Sequence, residues 1–477
     1  MNKRAYTHLI LSSGNKLAIH LFVLVFLLFV TLPAFSQTLI SGVVNHYQKV
    51  SQVNFTANSV TVDSSYAFNI GDKVLLIQMQ GASIDASQSS AFGNITAYND
   101  AGKYEMQTVC DVQGNDIVFA FDLLNTYTPS ASLQLVRVPV YNNANISGGN
   151  LTCKGWDGNT GGVLAIEVIN QFNFSSRNID VRGKGFRGAD LNVASGNCSW
   201  ILDNSYYKTI SSSDDRAEKG EGISIWVNGK ECGRGPQANG GGGGNNHNGG
   251  GGGGANFGAG GRGGERIQSS FFTCGSYYGL TSKSLASAYS SDRLFMGGGG
   301  GAGHVNNVGH SGENGTNGSG IVIINAYSIK GQGRSIFANG AGPTGTAIND
   351  GGGGGGAGGT VLLNASNYIG TLNIDVSGGN GASVNNSGSS NCNGPGGGGG
   401  GGIAMYNGSS PPTGVNVNVS GGLNGLILSE SQGNCSVGST NNATAGGVGS
   451  ISNNTSIKTA TINSTVCSFG PLPIELA

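Results

Sequence analysis

One pattern occurs three times between residues 318 and 425, and this repetition constrains the fold more than any other feature. Each copy has a glycine run, an apolar strand ending at an asparagine, a short turn, a second strand with alternating apolar residues, and glycine again. The copies span residues 318–342, 358–381 and 400–425. The marker asparagines Asn325, Asn364 and Asn407 are 39 and 43 residues apart. A strand-and-turn repeat of this length predicts a solenoid-like stack of strand pairs.

An earlier copy of the pattern is predicted at residues 163–185, where IDVRG at 179–183 matches IDVSG at 374–378. The segment between this copy and residue 318, about residues 189–315, is predicted to be an insertion with one buried strand at 223–227. The insertion also has an aromatic patch, Phe271, Phe272, Tyr277 and Tyr278. Such a patch can contact a ligand, but we favour the interpretation that it caps the end of the solenoid or packs the insertion onto the body of the protein.

Composition favours an all-β protein and excludes several function classes. The chain has 88 glycines among 477 residues but only 10 prolines, which excludes collagen and proline-rich linkers. Lys plus Arg (24) nearly balance Asp plus Glu (25), so no basic surface for nucleic acid is expected. No long amphipathic helix is visible, and the apolar residues occur in short bursts typical of strands.

The glycine runs at 240–244, 249–254, 297–301, 351–356 and 396–402 have two interpretations. Flexible linkers are one, because glycine loses the most conformational freedom on ordering. The runs at 351 and 396, however, recur in phase with the strands that follow them. Extended glycine chains with threefold geometry make no internal hydrogen bonds, so close neighbours can pair with their backbones. We therefore predict a hydrogen-bonded polyglycine bundle beside the strand stack.

The N-terminus has the features of a signal peptide at residues 1–36. Basic residues precede an unbroken apolar run at 21–30, and small residues at Ala34 and Ser36 suit cleavage before Gln37. A membrane anchor is the alternative, but the run is shorter than the roughly 20 residues that span a bilayer. We therefore predict a secreted or outer-surface protein with no transmembrane segment in the mature chain.

The eight cysteines lie after this segment, and an even number in an exported chain indicates disulfides. Cys392 and Cys435 each lie 28 residues after a marker asparagine. Equivalent positions on adjacent layers are about 4.8 Å apart, which a disulfide accepts. The register therefore predicts a Cys392–Cys435 disulfide, and the pairing of the other six cysteines stays open.

Short strands separated by turns between residues 37 and 146 predict a small β-barrel or sandwich. Its predicted strands are 59–62, the end of 68–80, 104–109, 116–121 and 133–138. The repeat solenoid is placed at 147–428, a C-terminal β and loop segment at 429–470, and the start of a truncated sorting region at 471–477.

No motif for a cofactor, a metal or a catalytic group stands out, so none of these is predicted. The glycine runs match neither a phosphate-binding loop nor a calcium repeat. His304, His310 and Glu313 have no standard zinc spacing. Asp180, Asp375 and Asn418 occupy matching repeat positions, where stacked carboxylates can serve as an acid/base pair in sugar chemistry. We favour the interpretation that they are outward-facing polar strand residues.

Several segments resemble a group of large secreted bacterial surface proteins, in which a β domain precedes glycine-rich repeats. They are GDKVLLIQMQGA at 71–82, AGKYE at 101–105, QLVRVPVY at 134–141, GWDGNTGGVLAI at 155–166, IDVRGKGFRGAD at 179–190 and RLFMGGGGGAG at 293–303. Members of this group have names linked to gliding motility, and the resemblance covers most of residues 55–425. It implies an adhesin-like surface role and no catalytic residues. PLPIEL at 471–476 is similar to the start of a type IX secretion sorting domain, which implies delivery to the cell surface.

We therefore expect an exported structural or adhesive cell-surface protein without catalytic activity, with polysaccharide, an abiotic surface or other cells as its partners. One alternative is a carbohydrate-active β-helix enzyme, a polysaccharide lyase or hydrolase, in which Asp180 and Asp375 would act. Another is an ice- or hydration-surface-binding protein, because a glycine bundle can present a flat surface.

Overall fold

The computed structural model describes residues 37–192, 204–209, 217–245, 247–267, 277–290, 292–306, 311–387, 392–430, 435–461 and 467. The predicted signal peptide and the sorting segment at 471–477 lie outside these residues, and the domain limits stay predictions. Within the described ranges, no helix has the length and apolar character needed to span a bilayer. Short 3-10 helices occur at Pro129–Ala131 and Ala286–Ala288.

The N-terminal part is built from eleven short strands. They are β1 (Thr38–Val43), β2 (His46–Asn54), β3 (Ser59–Val62), β4 (Lys73–Gln78), β5 (Ser83–Ile84), β6 (Ile95–Ala97), β7 (Tyr104–Gln113), β8 (Asp116–Phe119), β9 (Leu133–Val138), β10 (Val140–Tyr141) and β11 (Ala144–Thr152). Six of them close an antiparallel barrel in the order β2-β3-β8-β7-β4-β9, which confirms the predicted small barrel. Strand β1 instead pairs in parallel with β11 in the large sheet.

The repeat part contributes the remaining strands of the described chain. They are β12 (Val163–Asn173), β13 (Ile179–Asp180), β14 (Ile321–Lys330), β15 (Arg334–Phe337), β16 (Ala347–Ile348), β17 (Thr360–Ile369), β18 (Leu372–Asp375), β19 (Val384–Asn386), β20 (Ile403–Tyr406), β21 (Val415–Asn418), β22 (Ile427–Glu430) and β23 (Ser450–Ser452). Two parallel ladders, β12-β14-β17-β20-β23 and β13-β15-β18-β21, stack one strand per repeat and are joined through β11. This arrangement confirms the predicted solenoid-like stack.

The marker asparagines lie on touching layers, as the repeat predicts. Asn325 is the register partner of Asn364. Tyr406 pairs with Leu363, so Asn407 follows directly beside Asn364. The copy predicted at residues 163–185 is also confirmed, because β12 pairs in register with β14 and β13 with β15.

The first half of each long strand is continuously apolar because both of its faces are buried. Leu164 and Ile166 face the core inside the solenoid. Their neighbours Val163 and Ala165 face a second core, shared with the barrel and the insertion. Barrel strands β4 and β9 supply side chains to this shared core from their outer faces, for example Leu75. The barrel is therefore packed against one outer face of the solenoid.

The glycine runs form a buried, hydrogen-bonded bundle, which confirms the predicted arrangement. In one set of bonds the Gly251 N–H donates to the Gly352 carbonyl at 2.8 Å, and the Gly352 N–H donates to the Gly394 carbonyl at 2.9 Å. Three residues further along, Gly254 donates to Gly355 at 2.9 Å and Gly355 to Gly397 at 2.9 Å. This threefold repeat is the periodicity of the extended polyproline II conformation.

The bundle is an interior and not a surface. Residues 240–244, 249–254, 297–301, 351–356 and 396–402 are all buried. Three of these runs, 240–244, 249–254 and 297–301, belong to the predicted insertion, so the insertion is part of the central packing. The flat glycine surface on which the ice-binding alternative depends is therefore not present in these runs.

The strand predicted at residues 223–227 is wrong. Ile223 is buried, but Ile225 and Trp226 are exposed, and within this segment only Ser224 forms a bridge, with Ala82 of the barrel. The segment crosses from the core to the surface and meets the barrel at one point. The prediction was wrong because a run of residues with high β-propensity does not show where the chain changes direction.

Candidate functional site

Two adjoining cavities form a groove where the apolar halves of the solenoid strands end. Their volumes are about 330 and 420 Å³, and both are lined by Glu167 and Asn325. The larger cavity lies where the barrel, the solenoid and the segment 457–461 meet. The smaller cavity is lined by Glu167, Val168, Ile169, Asn325, Ala326, Tyr327, Asn364, Ala365, Ser366 and Asn407. We call the two together the amide groove.

A ladder of asparagine side chains follows the groove from layer to layer. The Asn364 Nδ2 donates to Asn325 Oδ1 at 2.7 Å, and Asn407 Oδ1 accepts from the Ala365 N–H at 3.2 Å. Adjacent strands are about 4.8 Å apart, so the four positions from Glu167 to Asn407 span about 14 Å. Among the described residues, Asn325 Nδ2, Asn364 Oδ1 and Asn407 Nδ2 have no hydrogen-bond partner. The ladder therefore presents both donors and acceptors to a ligand.

Tyr327 and Ile169 give the groove an apolar wall. Tyr327 lies two residues after the marker Asn325, and its side chain is 64% exposed. Ile169 lies two residues after Glu167 on the adjacent strand and is 41% exposed. A tyrosine combines a flat apolar ring with a polar hydroxyl, which suits contact with a ligand that has both kinds of surface.

An ion pair lines the groove at the end of the asparagine ladder nearest the barrel. The Lys73 Nζ on β4 lies 2.7 and 2.8 Å from the two carboxylate oxygens of Glu167 on β12. Among the described residues, these two are the only charged ones that line either cavity. Because they neutralise each other, the groove favours an uncharged ligand with many hydroxyl or amide groups over an ionic one.

The predicted row of Asp180, Asp375 and Asn418 is present, with Phe337 between the two aspartates. Each polar side chain accepts a hydrogen bond from the backbone N–H two residues later, at 3.1, 3.0 and 3.2 Å. They therefore stabilise the turns after their strands. This outcome agrees with the preferred interpretation of an outward-facing polar row.

Asp180 is poorly suited to donate a proton. Its carboxylate is bonded by the Arg182 guanidinium at 2.5 and 2.9 Å. Burial would raise the pKa of Asp180, but the hydrogen bonds and the positive charge of Arg182 outweigh it and lower the pKa below its usual value. A general acid in glycoside cleavage needs a raised pKa, so Asp180 does not have the property required of the acid in the enzyme alternative.

The other sequence candidates have packing roles in the described residues. His304 is buried, and its Nδ1 accepts from the Asn248 N–H at 3.0 Å, while His310 lies outside the described residues. The part of the chain that is described contains no cluster of three or more His, Cys, Asp or Glu side chains suited to a metal. Tyr277 and Tyr278 stack on the Arg234 guanidinium at 4.7 and 5.2 Å. Phe271 and Phe272 lie outside the described residues.

Two disulfides join distant parts of the described chain. Cys392 and Cys435, the pair deduced from the repeat register, are bonded with a Cα separation of 5.8 Å. A second disulfide joins Cys110 on β7 to Cys467, with a Cα separation of 5.5 Å. Cys153, whose pairing the sequence left open, is a buried free thiol. Its burial raises its pKa to about 12.

The sequence did not identify Tyr327, Ile169 or the Lys73–Glu167 pair as parts of a site. One signal was available for Tyr327, since the second repeat has Ser366 at the same distance after its marker asparagine. A large aromatic residue at an outward polar position of a repeat is unusual. The ion pair joins residues 94 positions apart, and no local pattern predicts it.

Comparison with known proteins adds little to this geometry. No family model and no curated protein matches the chain. A solved structure with some similarity is the Gp54 tailspike of Acinetobacter baumannii bacteriophage AP22 in complex with A. baumannii capsular saccharide. The similarity has 10% identity and a TM-score of 0.15, and it covers 88% of this chain and 61% of the tailspike chain. At that TM-score it supports no conclusion about fold or function.

Proposed function

We propose that this chain is an exported, non-catalytic surface protein that contacts polysaccharide through the amide groove. The observation that supports this most is the asparagine ladder beside the exposed Tyr327. Amide groups at regular spacing can hydrogen-bond to successive hydroxyls, while an aromatic ring packs on the apolar face of a sugar.

The shape of the groove favours a polymer over a small metabolite. The ladder runs along the stack for about 14 Å and is open to solvent. The Lys73–Glu167 pair leaves the lining nearly neutral, so a neutral glycan is the expected ligand class.

Export is part of the same proposal. The Cys392–Cys435 and Cys110–Cys467 disulfides are typical of proteins from oxidising compartments. The leader-like residues 1–36 and the sorting-like residues 471–476 add to this from the sequence. Delivery to the outer cell surface, in an adhesive role, is the destination that we propose.

The test compares binding of the full chain to a soluble neutral glucan and to a uronate polymer by isothermal titration calorimetry. We expect binding to the neutral glucan, and Tyr327→Ala should weaken it about tenfold through the loss of ring stacking. The matched control is Tyr66→Ala, since Tyr66 is 77% exposed but lies on the barrel side, outside the groove lining. A wild-type chain that binds no neutral polysaccharide, or equal losses for the two variants, would overturn the proposal.

A further inference from the structure

The last strand of the second ladder has an uncovered edge. Strand β21 pairs with β18 on one side, and within the described residues no strand pairs with its other side. The fifth layer, β23, covers β20 but not β21. The core-facing residues of β18, such as Ile374, are fully buried, whereas Val415 and Val417 of β21 are only half-buried. The solenoid core is therefore open on this side.

This edge lacks one common protection against pairing with another chain, which is a charged side chain. Natural edge strands are commonly blocked by charged residues, especially lysine. Residues 403–429 contain no charged side chain at all. The segment 415–419 reads VNVNV, an uncharged alternation with high β-propensity. Its exposed asparagines continue the polar rows of the preceding layer, where Asn418 Nδ2 donates to Asp375 Oδ1 at 3.1 Å.

The VNVNV segment reads the same in both directions, and this symmetry identifies the partner. We infer that two copies of the chain associate through β21, as antiparallel strands related by a twofold axis at Val417. In that register Asn416 lies opposite the partner's Asn418, and Val415 lies opposite the partner's Val419. A twofold interface uses the same patch on both subunits, and the palindrome makes this patch complementary to itself.

Exposed apolar side chains of the terminal layers extend the apolar surface at this end. Leu423 follows β21 and is 66% exposed, and Val448 precedes β23 and is 64% exposed. Antiparallel pairing would also bond the Val417 N–H and carbonyl groups of the two copies to each other. The Val419 carbonyl would keep its bond from the Gly449 N–H at 2.7 Å. Pairing would place the amide grooves of two copies in one particle, which increases avidity for a polymer without any new contact.

Charge patterning on β21 tests both the dimer and its register. In N416K/N418K each introduced lysine faces a lysine of the other copy, so the dimer should weaken about tenfold or more. In N416E/N418K each introduced glutamate faces a lysine, so the dimer should persist. Both variants replace Asn418, which lies beside Asp375, with lysine. We therefore expect the two variants to change the stability of the monomer to the same extent.

The assay is sedimentation velocity of the full chain over a concentration series reaching about 100 µM. The inference predicts a wild-type dimer, a monomeric N416K/N418K variant and a dimeric N416E/N418K variant, with equal thermal stability of the two variants at low concentration. A monomeric wild type or an unchanged N416K/N418K would overturn the β21 dimer. Loss of the dimer in N416E/N418K as well would overturn the antiparallel register, since parallel pairing places like charges together. These outcomes do not depend on glycan binding.

Discussion

Replacing Gly354 with alanine places a methyl group against the backbone of another run in the glycine bundle. A Cβ at this position would lie 2.1 Å from the carbonyl oxygen of Gly252 and 2.5 Å from its carbonyl carbon. Real Cβ atoms essentially never approach within 3.0 Å of another heavy atom. The obstacle is backbone, so a change of side-chain rotamer cannot relieve it, and the two runs must separate.

The loss of stability in Gly354→Ala follows from the hydrogen bonds that hold these two runs together. Gly251 donates to Gly352 at 2.8 Å, and Gly254 donates to Gly355 at 2.9 Å. Separation of the runs weakens both bonds in a buried site, where each unsatisfied group costs about 1–3 kcal/mol. The lower entropy of the unfolded alanine variant offsets about 0.4–1 kcal/mol. We therefore expect Gly354→Ala to lower the free energy of unfolding by about 2–5 kcal/mol.

Guanidinium denaturation followed by tryptophan fluorescence measures this effect, with Gly149→Ala as the matched control. A Cβ at Gly149 meets nothing closer than the Ser41 Cβ at 3.8 Å, so this variant should stay within about 1 kcal/mol of wild type. Equal midpoints for Gly354→Ala and Gly149→Ala would refute the close-packed bundle.

Three further predictions follow from buried or bonded groups elsewhere. Because burial raises the pKa of Cys153 to about 12, peptide mapping after iodoacetamide treatment should find it unmodified in native protein and modified only after unfolding; labelling of the native thiol would contradict its burial. Glu105 is fully buried and accepts hydrogen bonds from Leu124 N, Asn125 N and Tyr127 Oη at 2.9, 3.3 and 2.8 Å, so Glu105→Ala should cost about 3–5 kcal/mol in chemical denaturation, and a near-neutral effect would show that these donors find other partners. Burial raises the pKa of Asp157, but hydrogen bonds led by that of Lys154 lower it to about 2, so its stabilisation is complete above about pH 4 and is lost as the pH falls through 2. The stability deficit of Asp157→Asn should shrink over that interval, and a deficit independent of pH would contradict the assignment.

The layered part of the fold was predictable because the sequence pattern that encodes each layer repeats at a nearly constant spacing. The spacing of Asn325, Asn364 and Asn407 specifies the register, and the register places Cys392 within reach of Cys435. The fifth layer was not predictable in the same way. Ser450 and Ser452 stand where the preceding layer has Ile403 and Met405, and this exchange removes the apolar pattern that marks a strand.

The candidate site was less accessible from the sequence because it combines separate elements. The groove needs the barrel strand that contains Lys73 to dock on the solenoid strand that contains Glu167, and docking between domains leaves no local pattern. The glycine runs at 240–244 and 249–254 were likewise assigned to an insertion. Their place in the bundle depends on contacts with runs about 100 residues later, for example Gly251 with Gly352.

Amide hydrogen exchange of the glycine runs tests most directly the claim that a bonded backbone bundle holds the layers in register. Exchange at residues 351–356 and 396–402 is the decisive measurement, with the exposed segment 408–410 as the internal reference. The account predicts that both runs stay protected for hours, at a level near that of the buried strands β14 and β17. Exchange of both runs within seconds, at the rate of the exposed reference, would contradict it.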